Sequence, residues 1–130
     1  MANVIKLHKG LNINLKGRAN EQLLTFQSSG EYALVPDDFE GVTPKVTVKE
    51  GDKVKAGDAL FVNKAYPEVR FASAVSGRVS AVVRGERRKV RAVKVEADAE
   101  QVFQDFGQKD VTSLSGDAVI TALLEAGLFG

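Results

Sequence analysis

Five cations crowd into eight residues at Arg84, Arg87, Arg88, Lys89 and Arg91, with Glu86 as their one acidic neighbour in the run. Like charges this close repel one another, so the run reads either as a solvated hairpin tip or as a surface that meets an acidic partner. These five residues are the candidate partner-binding set, for an acidic protein subunit or the phospholipid face. Nucleic acid is disfavoured. The chain has 7 Phe, 2 Tyr and no Trp, and none of them lies in the run to stack on a base.

The remaining constellations are weaker. His8 is the lone histidine, so any Ser-His-Asp arrangement must use it, yet it sits between Leu7 and Lys9 on an expected edge strand with no motif around it. Asp37, Asp38 and Glu40 could offer oxygens to Mg²⁺ or Ca²⁺. They lack the alternating ligand spacing of a calcium loop and read as a plain turn. Asp52 and Asp58 resemble a carboxylate pair, but each follows a glycine, and turn chemistry accounts for both. The absence of cysteine excludes disulfides, thiolate metal sites and iron–sulfur ligation in this stretch. There is no Gly-x-Gly-x-x-Gly fingerprint and no phosphate loop. No catalytic, cofactor-binding or metal-ligating residue is therefore assigned to this chain.

The elements that position these residues are β-strands first and a helix last. Alternating residues predict strands at 4–7, 11–15 and 31–35, the last stopped by Pro36. Residues 37–41 with Pro44 read as a loop. From Val46 to Gly85 the chain alternates apolar and polar residues around Gly51-Asp52 and Gly57-Asp58, whose glycines supply the left-handed position of tight turns. Ser76-Gly77 reads as a further turn entering a strand, and 90–95 as another strand. Ser115 can cap a helix over 117–126, with Val119, Ile120, Leu123 and Leu124 as its apolar stripe and Gly127 as its stop.

Length and composition fit one domain with a sizeable core: 130 residues, 44% hydrophobic, net charge +1. That charge implies no global steering to nucleic acid or an anionic membrane. No apolar run reaches the roughly 18 residues that span a bilayer, and the first ten residues are too polar for a signal peptide. Leu128 and Phe129 follow a helix stop with large apolar surface. The expected organisation is a β domain over 1–97, and over 98–130 the start of a following α/β region cut short by a fragment boundary.

The two strand-rich halves around residues 46–85 resemble the biotinyl/lipoyl type of barrel-sandwich hybrid. The fold expected is mainly β, a biotinyl/lipoyl-like barrel-sandwich with a C-terminal helical segment. Carrier domains of this type keep their modified lysine at a hairpin tip between Met-Lys-Met or similar residues. Lys64 is the sole lysine of the corresponding segment, lies only four residues past Leu60, and has neither methionine nor an acidic residue beside it. Pro67 stands near the expected tip. Lys64 is expected to stay unmodified.

The order of segments is more specific. Lys9-Gly10-Leu11, Gly41-Val42-Thr43-Pro44, Glu50-Gly51-Asp52, Val69-Arg70-Phe71-Ala72, Ser76-Gly77 and Arg84-Gly85-Glu86-Arg87-Arg88 occur at compatible spacing. So does the closing run from Leu124 to Phe129. In these the chain resembles the N-terminal region of the NqrA family, the A subunits of sodium-translocating NADH:quinone reductases. It departs from that pattern around Asn63 to Pro67, at Ala74, where proline is common in carrier-like domains, and in its basic residues 89–92. The resemblance implies a peripheral subunit on the cytoplasmic side of the bacterial inner membrane, non-catalytic in this fragment and without a cofactor of its own. The complex as a whole would use NADH, flavins, an iron–sulfur centre, quinone and Na⁺. The partners implied are the other subunits and quinone, without nucleic acid and without a membrane span in this chain. The competing readings are a stand-alone, unmodified carrier-like binding module, or the C subunit of the related Rnf-type electron transport complex.

Overall fold

A computed structural model describes residues 6, 9–10 and 16–129. The strands expected at 4–7 and 11–15, apart from Lys6, and His8 lie outside the described residues. Those described contain β1 (Glu31–Leu34), β2 (Pro44–Val46), β3 (Lys53–Val54), β4 (Ala59–Asn63), β5 (Arg70–Ala72), β6 (Gly77–Arg84), β7 (Val90–Ala97) and a helix, α1 (Gly116–Glu125). One sheet has the order β1-β7-β6-β3 and the other β2-β4-β5, with every neighbouring pair antiparallel. This is the mainly β barrel-sandwich with a C-terminal helix that the sequence leads one to expect.

The turns explain why the short strands can form. Asp52 and Asp58 donate their N–H groups to the carbonyls of Lys49 and Lys55 at 3.1 and 3.0 Å. Gly51 and Gly57 occupy the third positions with φ of +90° and +101°, the geometry of type II turns. Each Asp carboxylate then accepts the N–H of the first turn residue at 2.8 Å. Asp52 and Asp58 are turn residues, as their sequence context implies.

Ser76-Gly77 is not the turn expected. Gly77 opens β6 in strand backbone, opposite Ala97, and a Cβ there would run into the Glu96 carbonyl. Its role is close approach of two backbones. The buried Ser76 beside it anchors the chain after β7. It donates its N–H to Gln101 Oε1 at 2.7 Å, and its Oγ accepts the Val102 N–H at 2.8 Å. Ala56 completes the tie, donating to Val102 at 2.9 Å and accepting from Gln104 at 2.8 Å.

Strands β6 and β7 form the spine. Their register shifts between Val79 and Ala81 and again between Val83 and Arg84, and such bulges bend and twist a strand so that its sheet can curl over the other. The core between the sheets holds Leu60, Phe61, Val79, Val93 and Val95, all nearly inaccessible. Phe61 stacks on Phe71 at 4.8 Å, and Phe39 closes on Phe71 at 4.6 Å. Two loop assignments are corrected here. The 3-10 turn Pro36–Asp38 swings Phe39 onto the core. Pro44 begins β2, which tolerates it because β2 is an edge strand.

Helix α1 begins and ends as its sequence signals require. Ser115 Oγ accepts the Ala118 N–H at 3.3 Å. Gly127, at φ +69°, donates to the Leu124 carbonyl, and Leu128 reaches back to Leu123 at 2.9 Å, the paired bonds of a Schellman stop. The helix end touches β5, where a Cβ on Gly127 would lie 3.2 Å from Ala72. The apolar stripe is only half covered, with Val119 and Ile120 exposed.

Candidate functional site

The basic run is the tip of the β6–β7 hairpin. Arg84 ends β6, Glu86–Arg88 form the turn, and Arg91 stands in β7. Lys89 donates its N–H to the Glu86 carbonyl at 3.0 Å, and Gly85 donates to Lys89 at 2.8 Å. Between them Arg87, at φ 52° and ψ 29°, and Arg88, at φ 61°, are both left-handed. This is the backbone of a type I′ turn, whose central positions ordinarily hold Asn-Gly. An arginine with its Cβ costs about 1 kcal/mol or more at such a position. The fold thus presents two exposed arginines on strained backbone at the hairpin tip. Glycine at 85 makes room for the Arg91 side chain, since a Cβ there would lie 2.7 Å from Arg91 Nε.

Not all five cations are equally available. Lys89 Nζ pairs with Asp37 Oδ1 at 2.7 Å, so the acidic turn and the basic run, separate in sequence, meet in space. Both side chains are more than half exposed, and such a surface pair contributes little stability. It does give Lys89 and Asp37 a competing partner within the chain. Arg84, Arg87, Arg88 and Arg91 form no ion pair among the described residues. Asp37, Asp38 and Glu40 do not converge on a cation site, and no cluster of three or more potential metal ligands occurs among the described residues.

Lys64 opens the β4–β5 loop. Asn63 donates to the Val69 carbonyl at 3.0 Å, which closes the hairpin around residues 64–68 and leaves Tyr66 and Pro67 at its tip. The Lys64 N–H is itself tied to the Thr43 carbonyl at 2.8 Å. The lysine therefore stands at the shoulder of the hairpin, beside β2, and not at the tip where carrier domains of this type keep their modified lysine. Intact-mass measurement of the protein from its own host is expected to find no lipoyl or biotinyl addition. A mass increase localised to Lys64 would reverse this assignment.

Two surface features escaped the sequence. A cleft of about 610 Å³ joins Lys45 and Lys64 to Arg84 across three elements. An apolar groove of about 510 Å³ lies between the β4–β5 hairpin and α1, lined by Tyr66, Val69, Phe71, Ile120, Leu124 and Phe129. The first depends on strand register, which no local pattern shows: Lys45 faces Val62 and the Lys64 N–H meets the Thr43 carbonyl, so the two lysines stand two positions apart across the β2–β4 pair.

The comparisons with known proteins agree with this architecture. Residues 5–98 match the family described as the NqrA N-terminal barrel-sandwich hybrid domain. The chain is 37% identical over 128 residues to the A subunit of the Na(+)-translocating NADH-quinone reductase of Neisseria meningitidis serogroup A, covering 97% of this chain and 29% of that protein. The Yersinia pestis protein of the same name is 35% identical over 128 residues, with the same coverage. That of Marinomonas sp. is 33% identical over 126 residues, covering 95% of this chain and 28% of the relative. The chain thus spans under a third of the length of the curated relatives it matches.

Proposed function

The chain belongs to the NqrA N-terminal barrel-sandwich hybrid domain family, and from that membership we propose that it is the N-terminal part of the NqrA subunit of a sodium-translocating NADH:quinone reductase. In this reading it is a peripheral, non-catalytic module on the cytoplasmic side of the bacterial inner membrane, and residues 98–130 begin a following α/β region. Similarity running through 97% of the chain to proteins of that name supports it. Among the described residues, no helix is long and apolar enough to cross a membrane. NADH, flavins, an iron–sulfur centre and Na⁺ would be handled by the rest of the complex.

Its role is assembly, through the β6–β7 tip. The observation that carries this is the pair of left-handed arginines, Arg87 and Arg88, held exposed and unpaired among the described residues at a cost in backbone strain. Strain of this kind persists where the surroundings or a function maintain it. An acidic face on another subunit is the complement, with Arg84 and Arg91 beside it and Lys89 at the rim. For a quinone-related role, the supporting feature is the apolar groove between the β4–β5 hairpin and α1, whose aromatic lining suits a flat apolar ring.

Reversing Arg87 and Arg88 to Glu in the assembled complex tests the docking role. The double change is expected to leave the melting temperature of the chain within a few degrees, because exposed charges are each worth under about 1 kcal/mol. Retention of the other subunits on co-purification is expected to fall, most at low salt, where like-charge contacts are least screened. A second variant, Arg87→Asn with Arg88→Gly, removes the strain and is expected to stabilise the chain by about 1 kcal/mol while still weakening retention. Undiminished recovery of the complex at low ionic strength for both variants would show the tip to be a solvated turn.

A further inference from the structure

From the cleft between β2, the β4–β5 loop and the start of the β6–β7 tip, we infer a binding site for a phosphate-class dianion. Lys45 from β2, Lys64 from the hairpin shoulder and Arg84 from the end of β6 line it. No acidic residue lines it, and none of the three cations forms an ion pair among the described residues. Three like charges brought together from separate elements repel one another unless an anion sits among them. The fold enforces the convergence. Pro44 pairs with Asn63, Lys45 with Val62, and the Lys64 N–H is fastened to the Thr43 carbonyl, so the two lysines are held two register positions apart at the same cleft.

The remaining lining includes Pro44, Pro67 and Val90. Apolar walls beside cations lower the local dielectric and strengthen attraction to a charged guest. Arg84 commits one nitrogen, Nη1, to a long 3.4 Å bond to the Arg88 carbonyl, which leaves the rest of its planar fork for paired hydrogen bonds to phosphate oxygens. At about 610 Å³ the cleft takes a phosphate or diphosphate together with part of the molecule that carries it. An anionic lipid headgroup and a soluble phosphorylated compound share that chemistry. The site goes beyond the docking role of the hairpin tip. It shares Arg84 with the tip, but Lys45 and Lys64 stand outside the basic run.

A titration of the isotope-labelled chain with sodium pyrophosphate, read by amide chemical shifts, tests the site, with sodium chloride at matched ionic strength as reference. Saturable shifts are expected at the amides of residues 45–46, 64–66 and 84–90. Lys45→Glu combined with Lys64→Glu is expected to weaken binding at least about tenfold, since it removes two charged donors and puts two carboxylates in their place. Both lysines are exposed, so an unchanged melting curve will certify the fold of the variant. No response beyond chloride, or one centred on Arg87 and Arg88 that the double variant leaves intact, overturns the proposal. Flotation with vesicles of phosphatidylglycerol against phosphatidylcholine separates the two sources. Retention on phosphatidylglycerol that the double variant abolishes identifies a headgroup. Pyrophosphate binding without vesicle retention identifies a soluble phosphate compound. Vesicle retention that survives the double variant, with no pyrophosphate binding, also overturns the site. None of these readouts requires the other subunits, so failure here and failure of the docking role are told apart.

Discussion

Gly77→Ala is expected to destabilise the chain by about 3 kcal/mol, at the upper end of the usual cost of forcing extra volume into a packed site. The atoms its Cβ would meet are the carbonyl and carbonyl carbon of Glu96 and the Cα of Ala97, all backbone of the paired strand β7. A flexible side chain could turn aside, but here two eight-residue strands would have to separate at the end where β6 also pairs with β3. The neighbouring Ser76, which anchors Gln101 and Val102, would shift with them. The measurement is a denaturant or thermal melt of the variant against the parent, with a fall of about 10 °C expected for a domain this size. A melting temperature within two or three degrees of the parent, roughly the effect of 1 kcal/mol or less, would mean that the strands adjust freely and that glycine is dispensable there.

Phe61→Ala is expected to cost about 4 kcal/mol, in the range measured for large aromatic truncations in cores. Phe61 is fully buried at 0% exposure, stacked on Phe71 with ring planes 18° apart and edge-on to Phe39. Its removal leaves a cavity at the centre of the sandwich and ends two aromatic contacts, each worth about 0.5–1.5 kcal/mol beyond area burial. Phe26→Ala is the internal comparison. That ring is 87% exposed, and its loss should change stability by no more than about 0.5 kcal/mol. Denaturant melts of the two variants side by side read the difference directly. Equal effects would contradict the placement of one ring inside and the other outside.

Strand alternation, the two Gly-Asp turns and the helix from Ser115 to Gly127 were legible because each is a local device. The left-handed glycines at 51 and 57, the Asp carboxylates that return to the N–H of Lys49 and Lys55, and the Ser115 cap all act within four residues of themselves. The basic run was legible for the same reason, as charge density in a short window. The resemblance carried by the segment order was borne out by the family match over residues 5–98.

What acts across the chain could not be read this way. Gly77 has the sequence appearance of a turn glycine, and only the approach of β7 makes it a contact glycine. Phe39 and Phe26 are the same residue in loop-like sequence, yet one is a core ring and the other faces solvent. The joining of Asp37 to Lys89, 52 residues apart, discounted one of the five candidate cations. The strained type I′ backbone at Arg87 and Arg88 contradicts local preference and exists because β6 and β7 close around it. Sequence alone determined the strands β1 and β7, the two Gly-Asp turns, the helix caps and the family, since propensity and patterning work over a few residues. Which side chains are buried, which charges are already paired, and which lysines share a cleft were decided by tertiary structure, because those outcomes depend on strand pairing between distant segments.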